Sequence, residues 1–171
     1  MKNMSAIIEE LVAELRLANN PVVIMPVGVP GSGKTTLMTQ LANEMTLQRI
    51  SPDKIRRELT GSMADQSANR AVWQVAEQRA KDSLSSNKSV IIDATHADAK
   101  QRIAAIQKYR SFGAQTVYAI VLDVPLAVSL ERNRQRKRRV PESAIRRMYK
   151  NLKHQRVSTE EGFDRVIQVS L

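Results

Sequence analysis

The stretch VVIMPVGVPGSGKTTL, Val22 to Leu37, carries the chain's clearest structural signal. It opens as a run of apolar, mostly β-branched residues and breaks into glycines, a lysine and two threonines. A short apolar run bounded by turn residues reads as a strand buried on both faces, as in a parallel sheet covered by helices. Gly28 to Thr35 then fits G-x-x-x-x-G-K-[ST] in full, with helix-forming sequence from near Gly33 to about Met45. Glycines let backbone N–H groups converge where side chains would obstruct. The following helix N-terminus adds its positive dipole end. The ligand such a loop suits is the phosphate chain of a nucleoside triphosphate, ATP or another. Gly28, Gly31, Ser32, Gly33, Lys34, Thr35 and Thr36 are the expected binding residues. Lys34 is expected to reach the β- and γ-phosphates, and the Thr35 hydroxyl to ligate Mg²⁺.

Outward from this stretch, apolar periodicity marks the other elements. Ile8, Leu11, Val12 and Leu15 give residues 5–18 the stripe of an amphipathic helix, ended by Asn19, Asn20 and Pro21. LQRIS reads as a second strand, leading to a loop or short helix at PDKIRREL. Helices are predicted over about 68–85, 98–110 and 125–134. Another begins at Pro141, with Ile145, Met148 and Leu152 as its buried stripe. Strands are predicted at SVIID, QTVYAIVLD and DRVIQVSL. Strands alternating with helices indicate an α/β fold with a mainly parallel, five-stranded sheet flanked by helices. With no repeat or linker, the 171 residues are expected to form one domain. Residues 1–20 would be an additional N-terminal helix and about 132–141 a basic lid loop, with Gln135–Val140 the most mobile segment.

Composition narrows the class. Hydrophobic residues make up 42%, and no apolar run approaches the roughly 20 residues of a membrane span. Glu9 and Glu10 argue against a signal peptide. There are no cysteines and two histidines, which excludes disulfides and thiolate metal sites and is compatible with a cytoplasmic setting. The net charge is +10, and the window from Glu131 to Arg156 alone carries eleven Lys/Arg against two Glu. So concentrated an excess suggests a polyanionic ligand, the alternative being a solvated helix face.

Three groups of residues carry the candidate chemistry. Asp93 ends the SVIID strand, where strand carboxyl ends line a ligand crevice. It either acts through water on Mg²⁺ or caps the next turn. Asp53 and Arg56, in SPDKIR, follow the second strand. A carboxylate there either accepts the proton of an attacking hydroxyl or caps a helix, and an arginine three residues on can hold an anion. Arg132 and Arg136 project from one face if their helix continues that far, as suits arginines over a γ-phosphate.

In the order GVPGSGKTT, SPDKIRREL, VIIDATH, VLDVPLAVSLERNRQR and RVPESAIRRMYKNL, the chain resembles the 5′-kinase domain of phage and bacterial polynucleotide kinase repair enzymes, a branch of the P-loop kinases. The resemblance covers about residues 22–171. It implies ATP-dependent phosphorylation of a 5′-hydroxyl end of DNA or RNA. Asp53 would be the general base and Arg56 the contact to the phosphate 3′ of the terminal nucleoside. Arg132 and Arg136 would be the lid arginines, with Thr95 and Val140 at the acceptor nucleoside. The chain departs from the family pattern at His96, where relatives often have asparagine, in its N-terminal helix, and in a loop so rich in arginine that the register of Arg136 against Arg138 stays open. With no phosphatase or ligase segment it reads as a stand-alone kinase module. Two other readings stay open: a small-molecule kinase acting on a sugar, nucleoside or antibiotic, and a nucleotide-dependent binding module without catalysis. Aromatic residues are only 4%, which leaves few rings to stack on bases. DNA or RNA preference and oligomeric state are not written in the sequence.

Overall fold

The structure is a computed structural model describing residues 2–171. Helix α1 (Met4–Arg16) leads to strand β1 (Val22–Val27), helix α2 (Lys34–Met45), strand β2 (Gln48–Ile50) and helix α3 (Pro52–Thr60). Then come α4 (Asn69–Ser85), β3 (Val90–Ile92), α5 (Ala99–Ser111), β4 (Thr116–Asp123) and α6 (Leu126–Arg134). Helix α7 (Glu142–His154), a 3₁₀ turn (Thr159–Glu161) and β5 (Arg165–Ser170) complete the chain. The five strands form one sheet in the order β2-β3-β1-β4-β5, every pairing parallel. None of these helices is long and apolar enough to cross a membrane.

Every residue of β1 is buried, because the strand is central and covered on both faces. Val23, Met25 and Val27 face a layer holding Ile55 of α3, Val72 of α4 and Ile106 of α5. Val22 and Ile24 face Leu37, Met38 and Leu41 of α2. The apolar stripe of α1 (Ile7, Ile8, Leu11, Val12, Leu15) joins that second layer. The N-terminal helix is therefore core, and its stripe is spent within the chain. Each such side chain contributes roughly 2 kcal/mol relative to exposure.

PDKIRREL is a helix because Ser51 caps it, accepting from the Lys54 amide at 3.2 Å, and Pro52 suits its first turn. Helix α6, by contrast, stops at Arg134. Arg136 lies beyond it, so the helical spacing expected between Arg132 and Arg136 is not what orients them. The basic segment expected to be most mobile is tied at two places. Asn133 donates to the Val140 carbonyl at 2.8 Å and accepts from the Val140 amide at 2.9 Å, while Arg138 reaches Asp53 at 3.0 Å.

Candidate active site

Chain direction parts around β1, which sends β2 and β3 to one side and β4 and β5 to the other. The crevice at the strands' carboxyl ends is where loops separate and ligands fit. The glycine loop occupies it. Gly31 has φ +85°, and a Cβ there would lie 2.3 Å from the Ser129 carbonyl oxygen of α6, so only glycine fits. Gly33, at φ +97°, caps α2. The first intrahelical bond shown at this end is Leu37 N–H to the Gly33 carbonyl, which leaves the Lys34, Thr35 and Thr36 amides as free donors of the first turn. The Ser32 hydroxyl is buried without a partner in the same loop. Gly28 is held from behind, its N–H donating to the Thr95 carbonyl at 3.1 Å.

Lys34 is where the candidate groups converge. Desolvation holds its ammonium below the ordinary lysine range. Asp93 opposes this, Arg136 adds to it, and Asp53 opposes it more weakly. A lysine that feels all three lies at the meeting point of the loop, β3, the lid and α3.

At the end of β3, the Asp93 side chain is buried and its Oδ2 accepts from the Thr35 hydroxyl at 3.3 Å and from Arg49 at 2.6 Å. Arg49 comes from β2, the neighbouring strand, and was not singled out in the sequence. Thr35 and Asp93 together offer hard oxygen donors of the kind Mg²⁺ takes, the remainder coming from phosphate oxygens and water. The residues present therefore fit that ion.

Asp53 sits in the first turn of α3, but the capping role belongs to Ser51. Its carboxylate instead accepts from Arg56 at 2.6 Å through Oδ1 and from Arg138 at 3.0 Å through Oδ2. Arg56 is buried and also donates to Asn69 at 2.7 Å, while its Nε is buried with no partner. On the lid side, Arg132 points one guanidinium nitrogen at the Gly31 and Ser32 carbonyls, 3.4 Å from each. Val140 packs with Val29, Leu130 and Ile145, two residues beyond Arg138.

His96 has a left-handed φ of 49° and donates Nδ1–H to the Pro26 carbonyl at 2.7 Å. Its Nε2 is buried without a partner, and burial pulls the ring's pKa down to about 4. The loop carrying it is pinned by Arg102, a fully buried side chain that donates to the His96 carbonyl at 2.8 Å and pairs with Glu161.

Arg132, Arg136, Lys34, Asp53 and Arg56 are thus gathered around one crevice, with Thr35 and Asp93 at its floor. Thr36 is exposed and Thr95 takes part through its backbone. Arg49, Asn69 and Asn133 are additions sequence reading did not assign, and Arg138, the register alternative to Arg136, is the loop arginine that reaches Asp53. Arg146, Arg147 and Lys150 of α7 are exposed, and among the described residues they make no ion pair. A cleft of about 680 Å³ between α1 and β5 is lined by none of these site residues.

Residues 23–154 match a family model described as an AAA domain. No curated protein matches the chain. Among solved structures, a chain of the Pnkp1/Rnl/Hen1 RNA repair complex aligns with TM-score 0.71 and 24% identity, over 86% of this chain and 47% of that one. A fungal RNA kinase aligns with TM-score 0.62 and 18% identity, over 90% of this chain and 39% of that one. A gluconokinase from Sinorhizobium meliloti aligns with TM-score 0.57 and 19% identity, over 90% and 84%. At these identities the likeness establishes the P-loop kinase fold. The chain spans less than half the length of the repair-complex and fungal chains it matches.

Proposed function

Because the chain belongs to the AAA domain family and has the fold of P-loop kinases, we propose that it is an ATP-dependent polynucleotide 5′-hydroxyl kinase of the cytoplasm. The observation that carries this reading is the Asp53–Arg56 pair across the crevice from Lys34. Asp53 is half-exposed, so its carboxylate is open to an incoming hydroxyl, and it is the weakest of the charges that bear on Lys34. Arg56 is a buried guanidinium fixed by Asp53 and Asn69, a preset positive charge beside the place proposed for the acceptor's 3′ phosphate.

In this reading the glycine loop, Ser32, Thr36 and the first-turn amides of α2 hold the triphosphate. The acceptor's 5′-oxygen attacks the γ-phosphorus and gives its proton to the Asp53 carboxylate. The bond from the γ-phosphorus to the β–γ bridging oxygen breaks, and the nucleoside diphosphate leaves with that electron pair. Lys34, Arg132 and Arg136 stabilise the charge that spreads over the γ-oxygens and the leaving group. Thr35, with Asp93 behind it, would hold Mg²⁺, which would supply further charge neutralisation during transfer. Thr95 and Val140 flank the acceptor nucleoside, and the unpaired cations of α7 favour a polymeric anion.

One observation favours a second reading, a small-molecule hydroxyl as acceptor: the gluconokinase is matched over 84% of its length, where the RNA kinase chains are matched over less than half. The test is transfer of label from γ-labelled ATP with Mg²⁺ to 5′-hydroxyl DNA and RNA oligonucleotides, beside a panel of sugars, nucleosides and antibiotics. Label on the oligonucleotides at low salt, lost as salt rises, is expected. Label on small acceptors alone replaces the proposal with the second reading.

A further inference from the structure

We infer that Arg138 is a specificity-determining residue that holds Asp53 until the phosphate of a nucleic-acid acceptor draws it away. The inference rests on the polynucleotide kinase reading above.

Both oxygens of the Asp53 carboxylate are engaged, Oδ1 by Arg56 at 2.6 Å and Oδ2 by Arg138 at 3.0 Å. The two arginines differ in kind. Arg56 is 6% exposed and fixed a second time by Asn69 at 2.7 Å, so it is part of the wall. Arg138 is 29% exposed, and Asp53 is the one ion-pair partner the structure gives it. It comes from the loop between Asn133 and Val140, whose two ends Asn133 clamps together, so its reach to Asp53 spans the crevice from lid to α3. A guanidinium there occupies the carboxylate oxygen that an incoming hydroxyl needs.

An acceptor with a phosphate 3′ of its reacting nucleoside brings a second anion beside Asp53. A guanidinium binds phosphate through the same fork of N–H groups that it offers a carboxylate. A half-exposed surface pair is weakly held, so exchange of partner is cheap. Once Arg138 turns to the phosphate, Oδ2 is free for the 5′-hydroxyl, and the lid is drawn onto the acceptor. A bare nucleoside supplies no anion and must compete with Arg138 for Asp53. The acceptor's phosphate therefore counts twice, in binding and in release of the base.

The test compares Arg138→Met and Arg138→Lys with the unaltered protein on two acceptors, a 5′-hydroxyl nucleoside 3′-monophosphate and the same nucleoside without phosphate. For Arg138→Met, the ratio of kcat/KM between phosphorylated and bare acceptor falls at least about tenfold, because transfer to the bare nucleoside rises while transfer to the nucleotide drops. Arg138→Lys, which keeps the charge without the fork, restores part of the ratio and guards against misfolding of the methionine variant. ATP affinity by titration calorimetry stays unchanged in both. An unchanged ratio, including equal losses on both acceptors, overturns the inference and leaves the kinase reading standing. No label on either acceptor with the unaltered protein removes the reading and the inference together.

Discussion

The Thr35 hydroxyl donates to Asp93 across 3.3 Å, and Arg49 closes on the same Oδ2 from the adjacent strand at 2.6 Å. This joins the first turn of α2 to the floor of the sheet and gives a buried carboxylate two partners. Removing the stronger one leaves the charge undercompensated. Arg49→Met is expected to cost about 3 kcal/mol of stability. Mg²⁺ alone should raise the melting temperature more in this variant than in the unaltered protein, because a cation beside Asp93 then replaces the lost charge. Equal stability of the two proteins would show that Arg49 does not hold Asp93, and an equal Mg²⁺ shift in both that no cation takes its place.

The lid depends on Asn133, which is buried and forms a reciprocal pair of bonds with the Val140 backbone at 2.8 and 2.9 Å. Asn133→Ala leaves that amide and carbonyl unpaired, a loss of about 2 kcal/mol. The effect should be local. Trypsin cleavage between Arg136 and Arg139 is predicted to accelerate about tenfold or more, with the rest of the digest unchanged. A digest indistinguishable from that of the unaltered protein would mean that the clamp does not order the loop.

His96 gives stability a pH dependence of known sign. Its folded pKa, about 4, lies below the ordinary value of 6.5, so at pH between these values the unfolded chain binds the extra proton. Its contribution is therefore complete above about pH 6.5 and is lost as pH falls toward 4, amounting to about 3 kcal/mol in all. Denaturant melts of the protein and of His96→Asn between pH 4 and 7 check this. The difference between the two should change across that window, and a constant difference would mean that the ring titrates normally.

Sequence spacing reached some of this site and not the rest, for a physical reason. The glycine loop is local: eight consecutive residues, a strand before and a helix after dictate its backbone, and the structure follows them. The sequence leaves Asp53 between capping and chemistry, and the geometry gives the cap to Ser51. Arg132 and Arg136 look equivalent at a spacing of four only if the helix continues, and it ends at Arg134. Beyond that point Asn133 directs the loop, and it is Arg138 that meets Asp53. Arg49 pairs with a residue 44 positions away, and Arg138 with one 85 away. Such pairings depend on strand order and on where a loop closes, which periodicity does not encode. The N-terminal helix shows the converse: its stripe was legible, and only the sheet's second layer shows what it covers.

The proposed reaction turns on a carboxylate opposite the donor phosphates that takes part in transfer and not in nucleotide binding. Asp53→Ala, assayed for both in one preparation, tests it most directly. The prediction is loss of phosphoryl transfer to a 5′-hydroxyl oligonucleotide by at least about a hundredfold, as removal of a general base implies, with ATP affinity within about twofold of the unaltered protein. Transfer that survives the substitution, or ATP binding that falls in step with transfer, would contradict it.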